Sequence, residues 1–303
     1  MYHYVRPINE STYPDIKGLE LEGFVRQLKY FKNNFKIITA TQLLNCIYNN
    51  SDLPKDTLVL TFDDGFKDHY LHVFPILKKF DISGLFFPSA KPLEEHSVLD
   101  VHKIHFILAN YGNIQNVLSN IFSLIKQNEK EFNLEKPEEY YKKLAIPNRF
   151  DSGDIIFIKR ILQRDLPQKL RNTIIDYLFK NYVSNNEEGF SKNLYLSYDE
   201  IKEMKENSMF FGSHGYSHQW LGYLGSKELE KELDLCSKLY SKINNDKNSW
   251  IMCYPYGNYN KDVIEKAKKF GYKAGLTTEV GDAILDKKNA LALSRYDTND
   301  FPQ

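Results

Sequence analysis

The sequence is short of the features that mark several protein classes. It has only three cysteines in 303 residues, Cys46, Cys236 and Cys253. They are odd in number, far apart and without metal-ligand spacing, so no disulfide framework is indicated. Neither charge is in excess: 40 basic and 40 acidic residues leave a formal net charge of +0. That balance gives no reason to expect nucleic acid or an anionic membrane surface as a partner. No apolar run approaches the ~20 residues of a membrane span. Met1-Tyr-His-Tyr-Val-Arg6 lacks the layout of a signal peptide. As given, the chain reads as cytoplasmic. It begins almost inside its first motif, so a longer native N-terminus stays open. There is no internal repeat and no low-complexity segment.

What is present is organised around Leu58-Val-Leu-Thr-Phe-Asp-Asp-Gly65. Residues 58–62 read as a buried parallel strand, apolar with a β-branched member. Two carboxylates, Asp63 and Asp64, stand at its carboxyl end, where α/β proteins build their sites. Gly65 permits a sharp exit. Neighbouring acids pointing in different directions can divide the labour between holding a metal and handling a proton. The plainer alternative is a capping Asp and a turn Asp before the next helix. A second stretch, Phe210-Phe-Gly-Ser-His-Gly-Tyr-Ser-His218, places His214 and His218 four residues apart. That spacing sets two imidazoles on one face of a helical turn. Imidazole and carboxylate are the N/O donors of a catalytic divalent ion.

Thr61-Phe-Asp-Asp-Gly65 and His214-Gly-Tyr-Ser-His218 resemble the first two motifs of the polysaccharide deacetylase family (NodB homology, carbohydrate esterase family 4). The resemblance covers most of the chain apart from a long middle segment. It implies an α/β fold, a distorted and incomplete (β/α) TIM-like barrel. It also implies a hydrolase that removes acetyl groups from sugars with a divalent metal held by Asp-His-His. On that resemblance Asp64, His214 and His218 hold the metal and Asp63 is the general base. Zinc is the default for two His and one Asp, with nickel, cobalt or iron fitting the same ligands. The third motif, Arg-x-Pro-Tyr, is matched by Cys253-Tyr-Pro-Tyr256, with Cys253 at the Arg position. The branch that deacetylates poly-N-acetylglucosamine reads closer to Tyr-Pro-Tyr-Gly here, as does Tyr254-Pro-Tyr-Gly257. The family's oxyanion donor, a Tyr main-chain N–H, carries over to Tyr256.

Two departures need substitutes. Most relatives take their general acid from a Leu-x-His motif near the C-terminus, and this chain has no histidine after His218. The poly-N-acetylglucosamine branch is circularly permuted, with the acid His on the first strand in a Tyr-His context, which Tyr2-His3 resembles. For the missing Arg, Arg295 near the end of an expected last strand at 291–297 is the candidate, a structural ion pair being the alternative.

The rest of the chain alternates strand and helix patterns, except for residues 98–193. Apolar spacing there predicts five helices, a helical insertion between barrel strands that serves as a lid or as a stability element. A helix is expected at 69–80, with His69 and His72 as surface or packing residues. Another is expected at 198–206, with Ser197 and Glu200 as a capping box, and a third at 226–243 with Ser226 as its cap. His102 and His105 are helix-spaced and leave a second metal site open. The 21 Tyr and 20 Phe suit core packing better than sugar-binding platforms. Three functions compete. They are an N-deacetylase of an acetamido sugar in a surface glycan or its precursor, an amide hydrolase for a small non-sugar substrate, and a metal-retaining glycan-binding pseudoenzyme.

Overall fold

Seven short strands are present among the described residues, and the third carries the acid pair of the site. In chain order they are β1 (Lys36–Ile37), β2 (Thr57–Leu58), β3 (Thr61–Asp64), β4 (Leu85–Pro88), β5 (Phe210–Phe211), β6 (Ile251–Cys253) and β7 (Ala274–Leu276). They come from a computed structural model that describes residues 1–49, 51–148 and 151–302. Among the described residues the ladders are parallel, β1 with β2, β3 with β4 and β4 with β5, and β6 with β7, beside one antiparallel bridge, Phe66 to Tyr195. Single parallel bridges extend the run, Tyr2 to Phe62, Ser213 to Met252 and Leu276 to Leu293. Helices alternate with the strands, including Leu21–Asn34, Tyr198–Glu206, Ser226–Ile243 and Lys261–Phe270. Parallel strands need such crossovers. This is the α/β architecture of a distorted, incomplete (β/α) barrel.

The chain divides into two units. The first comprises Met1–Pro7, Gly18–His96 and Ser191–Gln303. Its core explains much of the aromatic content. Phe62 of β3 stacks on Tyr2 (5.1 Å between ring centres) and on Phe86 of β4 (4.7 Å), and Phe86 on Phe211 of β5 (5.5 Å). All four rings are buried, at 2% exposure or less. One aromatic ladder thus crosses neighbouring strands, each pair contributing about 0.5–1.5 kcal/mol beyond its buried area.

The second unit comprises Ile8–Lys17 and Ser97–Phe190. Its helices include Asp100–Ala109, Ile114–Phe132, Pro137–Leu144, Gly153–Arg160 and Gln168–Tyr182. Ile104, Ile121, Phe157, Ile174 and Leu178 are fully buried there. The segment from Ile8 to Lys17 joins them through Tyr13, edge-on to Phe106 at 4.9 Å, and through Lys17, 2.6 Å from Asp151. Among the described residues no helix is long and apolar enough to cross a membrane.

Four local expectations change. The strand expected at 58–62 is two strands. β2 pairs with β1, the chain changes partner at Val59 and Leu60, and β3 includes both acids. The helix expected at 69–80 opens as a π turn, His69–Val73, before Phe74–Phe80. Pro75 lacks an N–H to give to the preceding turn and its ring crowds that turn's carbonyl, which explains the widening. Gly225 rather than Ser226 is the cap of Ser226–Ile243, its N–H donating to Glu228 at 3.2 Å. The strand expected at 291–297 is reduced to the bridge at Leu293.

Candidate active site

β3 delivers both carboxylates. Side chains alternate along a strand, so Asp63 and Asp64 leave in different directions, and each meets a different set of partners. Asp64 has φ +73° and Gly65 φ +69°. Two successive left-handed residues turn the chain out of the strand at once. A Cβ on Gly65 would lie 2.5 Å from Pro88 Cβ, so only glycine fits.

Asp64 faces the histidine pair. Its Oδ1 lies 3.4 Å from His214 Nε2 and 3.3 Å from His218 Nε2. The three donor atoms lie within 4.8 Å of one another and all three residues are buried. His214 Nδ1 lies 2.8 Å from the Cys253 carbonyl oxygen. A carbonyl only accepts, so Nδ1 carries the proton, and in the neutral ring Nε2 turns its lone pair towards Asp64. Burial opposes charge on His214, yet Cys253, Asp64 and Asp63 outweigh it and raise its pKa well above the ordinary imidazole value. The pocket therefore favours a cation. One carboxylate oxygen and two imidazole nitrogens, that of His214 oriented by the Cys253 carbonyl, fit a divalent metal in this buried pocket. His102 and His105 belong to no such cluster among the described residues.

Asp63 is paired with Arg295, and a carboxylate oxygen of Asp63 also lies within 4.8 Å of His214 and Cys253 donor atoms. Nη1 to Oδ1 and Nη2 to Oδ2 are both 2.9 Å, a bidentate fork between two buried side chains. The guanidinium also donates to the Thr277 carbonyl (2.7 Å), to Thr61 Oγ1 (3.2 Å) and to Cys253 Sγ (3.0 Å). The Cys253 thiol in turn donates to Asp63 Oδ2 at 3.4 Å. Burial would raise the Asp63 pKa, but the charge and hydrogen bonds of Arg295 hold it far below the usual carboxylate range. Arg295 thus occupies the space beside Cys253, where the family's motif carries its Arg, although it comes from 42 residues further along the chain.

His3 stands beside this pair, Nε2 3.9 Å from Asp63 Oδ2, with its side chain 43% exposed. Its carbonyl accepts a hydrogen bond from His69 Nε2 at 2.9 Å. His69 is fully buried, and burial lowers its pKa to about 4. It is therefore neutral and a fixed donor. Tyr256 is left-handed, φ +58°, and its ring meets His218 edge-on at 4.6 Å. Asp64, His218 and Tyr256 are three of the eight non-glycine residues with positive φ among the described residues. Such conformations cost about 1–3 kcal/mol each and cluster where function demands them.

One residue that matters here went unremarked in the sequence. Glu232, buried on Ser226–Ile243, accepts from the N–H groups of Tyr216 (3.0 Å) and Ser217 (2.6 Å) and from Ser217 Oγ (2.9 Å). It pins the loop between the two histidines. The signal was available, since Glu232 is an acid on the buried stripe that includes Leu229, Leu233, Cys236 and Tyr240.

Comparisons with known proteins place the chain in a family. The polysaccharide deacetylase pattern matches residues 50–126 and 165–275, and the chain belongs to that family. A curated relative is the polysaccharide deacetylase homologue YxkH of Bacillus subtilis strain 168, 31% identical over 93 residues. The match spans 31% of this chain and about a third (33%) of that protein. Two solved structures share the fold. Streptococcus pyogenes deacetylase PplD, in complex with acetate, has a TM-score of 0.59 at 19% identity, covering 97% of this chain and 88% of its own. The de-N-acetylase of Aggregatibacter actinomycetemcomitans has a TM-score of 0.57 at 16% identity, covering 98% and 93%.

Proposed function

We propose that this protein is a metal-dependent hydrolase that removes N-acetyl groups from acetamido sugars of a surface glycan or its precursor. The observation that carries the reading is the buried Asp64–His214–His218 cluster directly behind the Arg295-paired Asp63. A divalent ion held by those three residues, zinc by default for such donors, supplies Lewis acidity to the acetyl carbonyl. Hydrolysis then needs a base, a home for oxyanion charge and an acid. Asp63, kept ionised by Arg295, takes the proton of the attacking water. The main-chain N–H of Tyr256 supports the oxyanion, a donor of that kind contributing about 3 kcal/mol. His3, half-exposed beside Asp63, gives its proton to the departing amine as the C–N bond breaks. None of the residues named for this chemistry belongs to the helical unit, read as an insertion in the barrel.

A glycan-binding protein without catalysis would need no general base, so turnover after loss of the Asp63 charge separates the two readings. The test is Asp63→Asn, followed by metal content and acetate release. Metal retained with turnover lost supports the division of roles. Metal retained with full turnover contradicts it.

A further inference from the structure

Beyond His218 the chain builds something the hydrolysis does not use. The ring of Tyr256 stacks on Trp220 at 4.3 Å with 9° between planes. Tyr223 stacks on Trp220 at 5.9 Å and 30°. With the edge contact of His218 on Tyr256, four rings run from the candidate metal site outward. The last ring, Tyr223, is 69% exposed.

The outer ring is held firmly. Leu221–Tyr223 is a short 3-10 turn anchored by fully buried Leu221. Both backbone groups of Gly222 are clamped by the loop after Tyr256. Its N–H donates to Asn258 Oδ1 at 2.7 Å, and its carbonyl accepts from Asn260 Nδ2 at 2.9 Å. A Cβ at Gly222 would lie 2.9 Å from Asn258 Oδ1 and push the clamp apart. A large aromatic face presented to water on a rigid turn, continuous with a polar site, is prepared for a ligand with an apolar face.

We infer that Tyr223, backed by Trp220, is a stacking platform for a sugar ring of the same glycan chain whose acetamido group is at the metal site. This rests on the deacetylase reading. A pyranose offers one face of C–H groups to an aromatic ring while its hydroxyls stay in water, and no charge is required of it. Three successive ring contacts separate Tyr223 from His218, so a chain that follows them gains a contact that a single acetamido sugar at Asp64 does not need. The platform therefore selects chains over single sugars.

The probes are N-acetylglucosamine and its oligomers of two to five units, with metal-loaded protein. Tyr223→Ala should raise KM for the longest oligomers about three- to tenfold, the effect of one aromatic stack. It should leave kcat and the single sugar unchanged, and Tyr223→Phe should restore the wild-type KM. Binding is read separately, because the chain has two tryptophans and Trp250 is buried at 1% exposure. In Trp250→Phe protein, Trp220 emission should respond to oligomers with an affinity that rises with length. An unchanged KM and binding constant for the pentamer in Tyr223→Ala overturns the platform while leaving the hydrolase standing. Length-dependent binding that Tyr223→Ala weakens, with no acetate released from any oligomer, sustains the platform and removes the deacetylase reading. No oligomer binding by either readout overturns the platform.

Discussion

Replacing Arg295 by methionine is the perturbation that asks most of the structure. The guanidinium makes two 2.9 Å bonds to Asp63 and three further bonds to Thr277, Thr61 and Cys253, all in the buried interior. Methionine fills part of the volume but leaves the Asp63 carboxylate buried beside a neutral thiol. Breaking one half of a buried pair costs about 3–5 kcal/mol, because the other charge is stranded. Urea denaturation should show that loss as a lower midpoint at an unchanged slope. The loss should also depend on pH with a definite sign. In the wild type the folded Asp63 pKa lies below its unfolded value. The pair therefore contributes stability above the ordinary carboxylate value of about 4, and that stability is lost as pH falls from there through the folded pKa. In Arg295→Met burial opposes the charge with only His214 and His3 left to favour it, so the loss of stability at low pH should shrink or reverse in sign. Adding Cys253→Arg returns a guanidinium to the same space from the family's usual position. Stability and acetate release should then recover in part, with a coupling of about 0.5–3 kcal/mol between the two sites. An Arg295→Met protein less than about 1 kcal/mol weaker, the value of a surface pair, with normal turnover would refute the argument.

Other consequences follow from the same contacts. Glu232→Ala frees the loop between His214 and His218, so zinc affinity measured by competition with a chelator should fall about 10–100-fold, the range for lost ligand support, while the fold persists. Lowering pH puts protons on the ligands, so metal should be released as His214 protonates, and equilibrium dialysis at falling pH should show metal content dropping in that direction. Phe86→Ala interrupts the ladder from Tyr2 to Phe211 and should cost about 3–5 kcal/mol in urea denaturation, with no change in metal affinity per folded molecule.

What the sequence disclosed was what local rules govern. The Ser197–Glu200 capping box fixes Tyr198–Glu206, and both bonds of the box form. Pro137–Leu144 and Gln168–Tyr182 end where their periodicity ends. The acid pair and the histidine pair were visible because each lies within a few residues. What stayed hidden depends on partners far along the chain. Arg295 and Asp63 are 232 residues apart, so only the fold could show that they form a fork. Strand limits at β2 and β3 follow from which neighbour each residue meets, which no local pattern records. The N–H groups that make Glu232 useful lie 15 and 16 residues away on a loop. Ile8–Lys17 joins the helical unit through single contacts such as Tyr13 with Phe106, too sparse to leave a periodic trace.

The central claim is that Asp64, His214 and His218 hold a metal for amide hydrolysis. The most direct measurement is acetate release from N-acetylglucosamine oligomers by the protein stripped of metal, reloaded with zinc, and compared with Asp64→Ala treated alike. The account predicts release that is absent after stripping, restored by zinc, and absent from Asp64→Ala under both conditions. Release that survives stripping, or that Asp64→Ala retains, would contradict it.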